Sequence, residues 1–320
     1  MSEGAFRAGE AAAIATAITW SFTALLFAAA ARRLGAGQAN LIRLALATLL
    51  LGALVLGTGA ASRPPGGQVA LLLLSGVIGL ALGDAAWFRA LRILGGRRAS
   101  LFSPLWPAFA ALLALPLLGE GIGWVDGLGM AAALGGVLWS QSEADGGGEV
   151  QGSLPLGLAC GVLACLGQAA GYVVAKAGLG AAPAGTPLAD WAGLAARGGA
   201  AGEEVSPLFG TLLRMAGGTA WILASAVVRR EVGAAREALR DRRGMALLAG
   251  GTVLGPVLGV WLSLVALAYA RSTAVASTLL ATSPLFVIPV ARVVHGTPIT
   301  LRAVLGAAVA IGGVALLTLG

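Results

Sequence analysis

Histidine is almost missing from this 320-residue chain, which holds one, His295. Ser-His-Asp catalysis, an HExxH zinc site or histidine-ligated haem would each have to work with that one residue. There are two cysteines, Cys160 and Cys165, in a single apolar run. They cannot build a disulfide framework and are too few for a zinc site, so they read as small core residues. No metal and no cofactor is expected. Charged residues make up 11% of the chain, where an ordinary soluble domain carries about 25%. That scarcity argues against a soluble enzyme. Lysine is reduced to Lys176, and the other basic residues are arginines, most of them at the ends of apolar runs. The net charge of +7 therefore reads as membrane-orienting charge, with no nucleic-acid partner. A Walker motif is absent, which argues against ATP hydrolysis by this chain.

What the chain does have is apolar length. Hydrophobic residues make up 58% of it, and 50 glycines occur without a collagen period. Glycine and alanine at this density suit helices that approach closely in a bilayer. Apolar runs fall at 11–31, 38–58, 68–91, 98–118, 123–141, 154–177, 206–228, 245–268, 272–294 and 300–319. Each is about the length that spans a bilayer as a helix, and an irregular backbone there would leave polar groups unpaired. The first run is too long for a cleaved signal peptide. The expected fold class is all-α, a polytopic membrane protein of ten transmembrane helices. Polar punctuation separates the runs. Residues 142–153 are acidic and glycine-rich, 179–205 form the longest connection, and 229–243 suggest a short basic surface helix.

An internal repeat is the strongest feature. LGMAAALGGV at 128–137 returns as LGAAVAIGGV at 305–314, identical at seven of ten positions with an offset of 177. The same offset pairs Ala99-Ser100 with Ala276-Ser277, Pro107 with Pro284, Phe109 with Phe286 and Gly119 with Gly296. One residue earlier in register, Gly79 and Gly83 pair with Gly255 and Gly259. Leucine-rich segments around Arg43 and Arg214 also correspond. The repeat divides the chain into two five-helix units, at 1–145 and 146–320. Five is odd, so the second unit enters the membrane from the opposite side. Such inverted repeats are typical of secondary transporters.

The segment GDAAWFRALRILGGRRASLFSPLWPAFAALLALPLLGE at 83–120 resembles the third and fourth helices of EamA-type transporters, of the drug/metabolite transporter superfamily. The loop RRAS, the following prolines, the closing Gly119-Glu120 and the glycine-rich fifth helix carry the likeness. In the second copy Gly296 is followed by Thr297 instead of glutamate. The resemblance covers nearly the whole chain as two repeats. It implies ten helices and ATP-independent export or exchange of small metabolites, without naming a substrate.

Asp84 is the sharpest candidate for transport chemistry. It lies within the third apolar run, where an ionised carboxylate is expensive and functional by default. Taking up and releasing a proton there would couple ions to transport. Trp87, Phe88 and Leu91 share its helical face. The plainer reading is a helix-end acid paired with a nearby arginine. In the sixth run Gln168, Tyr172 and Lys176 recur every four residues and form a polar stripe. Gln168 and Tyr172 could hydrogen-bond a substrate, while Lys176 is expected to snorkel to the interface. Trp20 shares a face with Thr16 and Thr23 and could line a cavity. Ser103, with Pro104 and Pro107, is echoed by Ser283, with Pro284 and Pro289; prolines free backbone carbonyls that could serve a substrate or a hinge. Arg43 and Arg214 match across the repeat and read as structural residues at helix ends, with anion binding as the second reading. Glu120 is expected to organise a turn.

The expected function is a secondary transporter of small metabolites or drugs, an exporter or exchanger working by alternating access with possible proton coupling through Asp84. The cavity is expected between the halves, on helices 1, 3, 4, 6, 8 and 9. The competing reading, an intramembrane enzyme acting on lipid-linked or peptide substrates, needs a cluster of catalytic side chains that the runs do not offer. The expected partners are a small-molecule substrate and the lipid bilayer. A monomer suffices for such a site, and a dimer is compatible with it. The expected location is the cell membrane, multi-pass. Orientation is contested: fifteen basic residues fall toward the connections after odd-numbered helices and six on the other side. The positive-inside rule then puts both termini outside, whereas the resemblance implies cytoplasmic termini. Cysteine accessibility at the two termini decides between them.

Overall fold

The computed structural model describes residues 3–102, 104–141, 152–183, 185–191, 205–286 and 300–319. Helices α1 (Glu3–Leu34) and α2 (Ala36–Thr58) meet at Gly35, whose φ of 85° turns the chain where a side chain would be strained. Helix α3 (Gly66–Gly76) runs through a π-helical turn, Val77–Gly83, into α4 (Asp84–Ser100). Then come α5 (Leu105–Leu118), α6 (Trp124–Gln141), α7 (Leu154–Gly178), the short α8 (Pro187–Trp191) and α9 (Pro207–Val228). Helix α10 (Val232–Ala238) leads to α11 (Arg242–Thr252), a second π-helical turn, Val253–Gly259, and α12 (Val260–Tyr269). Helix α13 (Thr273–Leu280), α14 (described over 283–286) and α15 (Leu301–Leu319) close the chain. Among the described residues there is no strand.

Seven of these helices are long and apolar enough to cross a membrane, and Leu105–Leu118 and Thr273–Phe286 are shorter apolar helices. With α6 they account for all ten apolar runs. Large apolar side chains such as Leu56, Leu112 and Ile311 point outward, as lipid-facing residues must.

The halves are related by a two-fold axis, and the crossing of α6 and α15 shows its direction. A Cβ at Gly136 would stand 2.6 Å from the Gly306 carbonyl oxygen, and one at Gly313 would stand 2.6 Å from that of Gly129. Gly129 thus meets Gly313 while Gly136 meets Gly306, so the two copies of the repeated motif cross antiparallel. The axis relating them is perpendicular to the helices and lies in the membrane plane. The same axis passes between α2 and α9, where the hydroxyls of Thr48 and Thr219 hydrogen-bond at 2.8 Å. These threonines share the offset that pairs Arg43 with Arg214. Helix α1 packs on α11, the second π turn and α12, just as α7 packs on α3, the first π turn and α4.

The π turns sit at equivalent places, 176 residues apart. A π turn inserts one residue and rotates the remainder of its helix, and such turns gather at functional sites. In the first half Gly79 and Gly83 face Gly171 and Gly167 of α7 with almost nothing between them. In the second half Gly255 and Gly259 receive the side chains of Thr23 and Trp20. The repeat is therefore asymmetric where its third helices touch the partner half.

Two expectations change. RRAS is the last turn of α4, so the connection to α5 follows Ser100 instead. Pro104 and Pro107 sit at the start of α5, where no backbone N–H partner is required, so they make no break. Pro116, near the end of α5, is its interior proline. Pro289 and His295 lie outside the described residues.

On the face opposite the termini, Arg33 grips Asp241 through Nε and Nη2, at 2.8 and 3.1 Å. Asp241 also caps α11 by accepting from the amides of Arg243 and Gly244. The Arg33 hydrogen bond first, and the Gly244 amide second, hold the Asp241 carboxyl below the usual carboxylate range. A lowered value means that this contribution is complete above the ordinary value of about 3.9. It is lost as pH falls through the lowered one. Asp241→Asn is therefore expected to lower the melting temperature slightly at neutral pH, and the difference should vanish in strong acid. A gap that persists in acid would assign Asp241 a role other than this ion pair.

Candidate functional site

The candidate residues gather where the first π turn meets α7. A cavity of about 170 Å³ is lined by Gly83, Asp84 and Trp87 of the third helix, Trp106 of α5, and Ala164, Cys165 and Gln168 of α7. It draws on both halves. Trp106 is near the start of α5 and Asp84 near the middle of its helix, so the cavity lies on the side of the midplane away from the termini. Glycine makes the room: Cβ atoms at Gly167 and Gly83 would crowd each other's backbones.

Asp84 begins α4 directly after the π turn and is bound by Arg43 of α2. Arg43 is held in turn by Asn40, whose Oδ1 accepts from Nε at 2.7 Å, and it lies 5.2 Å over the Phe27 ring. Asp84 has no counterpart in the other half, where the equivalent residue is Val260.

Arg214, equivalent to Arg43, is therefore in a different position. Its side chain is fully buried. Nη1 donates to the Gly171 carbonyl at 3.0 Å, and the guanidinium lies 4.4 Å over the Tyr172 ring. Nε and Nη2 have no hydrogen-bond partner, and neither has Gln168 Oε1. Gly79 is the meeting point: a Cβ there would stand 2.8 Å from Arg214 Nη2 and 3.3 Å from Gln168 Oε1. Arginine stays charged in proteins, and a buried, half-satisfied guanidinium is costly. Arg214 thus lies in the interior of α9, not at the helix end that the repeat suggested.

Tyr172 stacks on Trp106, with centroids 5.3 Å apart, and its hydroxyl donates to Ser263 Oγ at 3.1 Å. It forms the wall behind the cavity. Gln168 and Tyr172 both face the interior. Trp20 lies against Gly259 of the second π turn and does not line this cavity. Thr16 and Thr23 face the same turn. Ser283 begins α14 away from the lining, and Ser103 is outside the described residues. Among the described residues, helices 1, 8 and 9 contribute nothing to the lining.

Lys176 does not snorkel. It is 5% exposed and pairs with Glu120 at 2.6 Å. Glu120 also accepts from the backbone N–H and hydroxyl of Thr273, at 2.6 and 3.1 Å. It therefore ties the end of α5 to α7 and α13, across the halves. Glu10 and Arg271 pair at 3.6 Å on the same face, and Arg271 also donates to the Leu317 carbonyl. Two ion pairs thus tie helices together on the terminus face. No group of three or more metal-ligating residues occurs among the described residues. Cys160 and Cys165 are free and buried.

The EamA-like transporter family profile matches residues 7–141 and 188–319. The chain belongs to this family. It is an integral, multi-pass membrane protein of a transporter family in the drug/metabolite superfamily. A crystal structure with 15% sequence identity superposes with a TM-score of 0.71, over 100% of this chain and 98% of that one. At that identity it shows the shared fold alone. No curated protein matches the sequence.

Proposed function

We propose that this family member is a secondary transporter that exports or exchanges small metabolites or drugs across the cell membrane by alternating access, with protons coupled through Asp84. The observation that carries the reading is the Asp84–Arg43 pair on a cavity shared by both halves. A carboxylate at this depth is maintained against its desolvation cost by its bond to Arg43, with the charge of Arg214 also acting on it. Protonation would release Arg43 and change what the cavity presents. The two ion pairs tie helices together on the terminus face while the cavity lies toward the other, which fits one end state of an alternating cycle. Trp87 and Gln168 supply the cavity wall, with Tyr172 behind it.

An intramembrane enzyme finds no support in this lining. Its one carboxylate is held by Arg43, and its one thiol, on Cys165, donates to the Phe102 carbonyl at 3.3 Å. The test is flux in reconstituted vesicles. With an imposed pH gradient, at least one class among amino acids, amines, nucleosides and drugs is expected to accumulate, and a protonophore should collapse that accumulation. Flux equal to that of empty vesicles for every class would overturn the transporter reading.

A further inference from the structure

We propose that Arg214 is the anion anchor of the transport site, and that the substrate is a small carboxylate with a hydrogen-bond donor on the neighbouring carbon. This rests on the transporter reading above and adds the substrate's chemical class. Among the described residues, the other buried charges have opposite partners: Asp84 has Arg43, Lys176 has Glu120, and Glu10 has Arg271. Arg214 is fully buried and feels the charge of Asp84, but that carboxylate is bonded to Arg43, and Val260 stands where the repeat would place a second one.

The geometry selects the anion. Nη1 is taken by the Gly171 carbonyl, which leaves Nε and Nη2. Those two nitrogens form one edge of the guanidinium fork and suit two coplanar oxygens. The chain uses the same edge elsewhere, where Arg33 Nε and Nη2 hold the two oxygens of Asp241. A monoanionic carboxylate fits both the edge and the single unpaired charge. Beside Nη2, at Gly79, lies Gln168 Oε1, a buried acceptor without a donor. An ammonium or hydroxyl next to the carboxylate would satisfy it. Gln168 also lines the cavity, so its side chain stands between the cavity and the guanidinium. The cavity of about 170 Å³ limits the solute to the volume of a few waters, at ~30 Å³ each.

Thermal stabilisation of the purified full chain at neutral pH tests this with four probes. These are 2-aminoisobutyrate, 2-hydroxyisobutyrate, isobutyrate and 2-aminoisobutyramide. The first two are expected to stabilise the protein. Isobutyrate, lacking the donor, is expected to bind about tenfold more weakly. The amide is expected not to bind. Arg214→Lys keeps the charge without the fork and should lose most carboxylate affinity. Gly79→Ala guards against misfolding as the cause. Its methyl would press on Nη2 and on Gln168 Oε1, both ends of side chains that can shift. It should weaken carboxylate binding at least about tenfold, with an unliganded melting temperature near wild type. Stabilisation by the amide equal to that by the acids would overturn the proposal. So would wild-type affinity in Gly79→Ala, or no stabilisation by any of the carboxylates. Binding is read without flux, so these outcomes leave the transporter reading to its own vesicle test.

Discussion

Asp84→Asn is expected to abolish accumulation driven by a pH gradient while leaving solute exchange intact. Asparagine keeps the shape of the side chain and an oxygen that can accept from Arg43. It lacks the proton that would be carried. With one proton per solute, a pH difference of one unit sustains about a tenfold concentration ratio, and the mutant should fall to a ratio of one. Alanine is a poorer choice, because it would leave Arg43 facing Asn40 and Phe27 with no anion. Removing one member of a buried pair typically costs about 3–5 kcal/mol. The measurements are gradient-driven uptake and counterflow in the same vesicle preparation, with the melting temperature as a check on folding. A well-folded mutant that still accumulates solute under the gradient would reduce Asp84 to a structural partner of Arg43.

Gly76→Ala is expected to have the largest effect on stability. A Cβ at this position would stand 1.8 Å from the Arg214 carbonyl oxygen, 2.8 Å from its carbonyl carbon and 2.9 Å from the Gly218 nitrogen. All three atoms are backbone, so no side-chain rotation relieves the clash. One turn away, a Cβ at Gly217 would stand 2.1 Å from the Leu73 carbonyl oxygen, so α3 and α9 touch along their backbones. The helices would have to move apart by more than an ångström, which undoes the packing around Leu80 and Met215 and displaces Arg214 from Gly171 and Tyr172. A cost of about 3 kcal/mol or more is expected from overpacking against a rigid neighbour. Gly57→Ala serves as the control, since no atom lies within 4 Å of its added methyl. Equal melting temperatures for the two variants would show that α3 and α9 can separate at little cost.

The ten apolar runs were legible because a helix in lipid must be long, apolar and internally hydrogen-bonded. The repeat was legible because glycines that permit backbone contact cannot drift. Asp84 stood out as an acid in an apolar run, a signal that needs no tertiary information. Arg214 was placed at a helix end because the repeat pairs it with Arg43, and equivalence suggested equal surroundings. The signal that separates them is the residue 176 positions beyond Asp84, which is Val260. An arginine whose symmetry mate is bonded to an acid, and which is bonded to none itself, is a candidate for binding. The π turns left no mark in the offset, since both halves contain one and the insertions cancel. Lys176 followed the usual behaviour of a lysine near a helix end, but Glu120 reaches it from another helix. Periodicity within one helix does not carry that contact. Trp20 showed the right face and the wrong neighbour: helix position fixed its direction, and only the packing of the halves shows that Gly259 fills the space in front of it.

The motif shared by α6 and α15 recognises itself antiparallel. A surface of that kind needs no second sequence. A half-length chain inserted into the membrane in both orientations would pair with its own copy through the same glycines, forming a symmetric dimer of five-helix subunits. In such a dimer every residue occurs twice, and an acid beside one arginine would force an acid beside the other. Joining the two copies in one gene removes that constraint. The carboxylate on one side, the valine on the other and the unpaired guanidinium between them are arrangements that a dimer of identical subunits cannot reach.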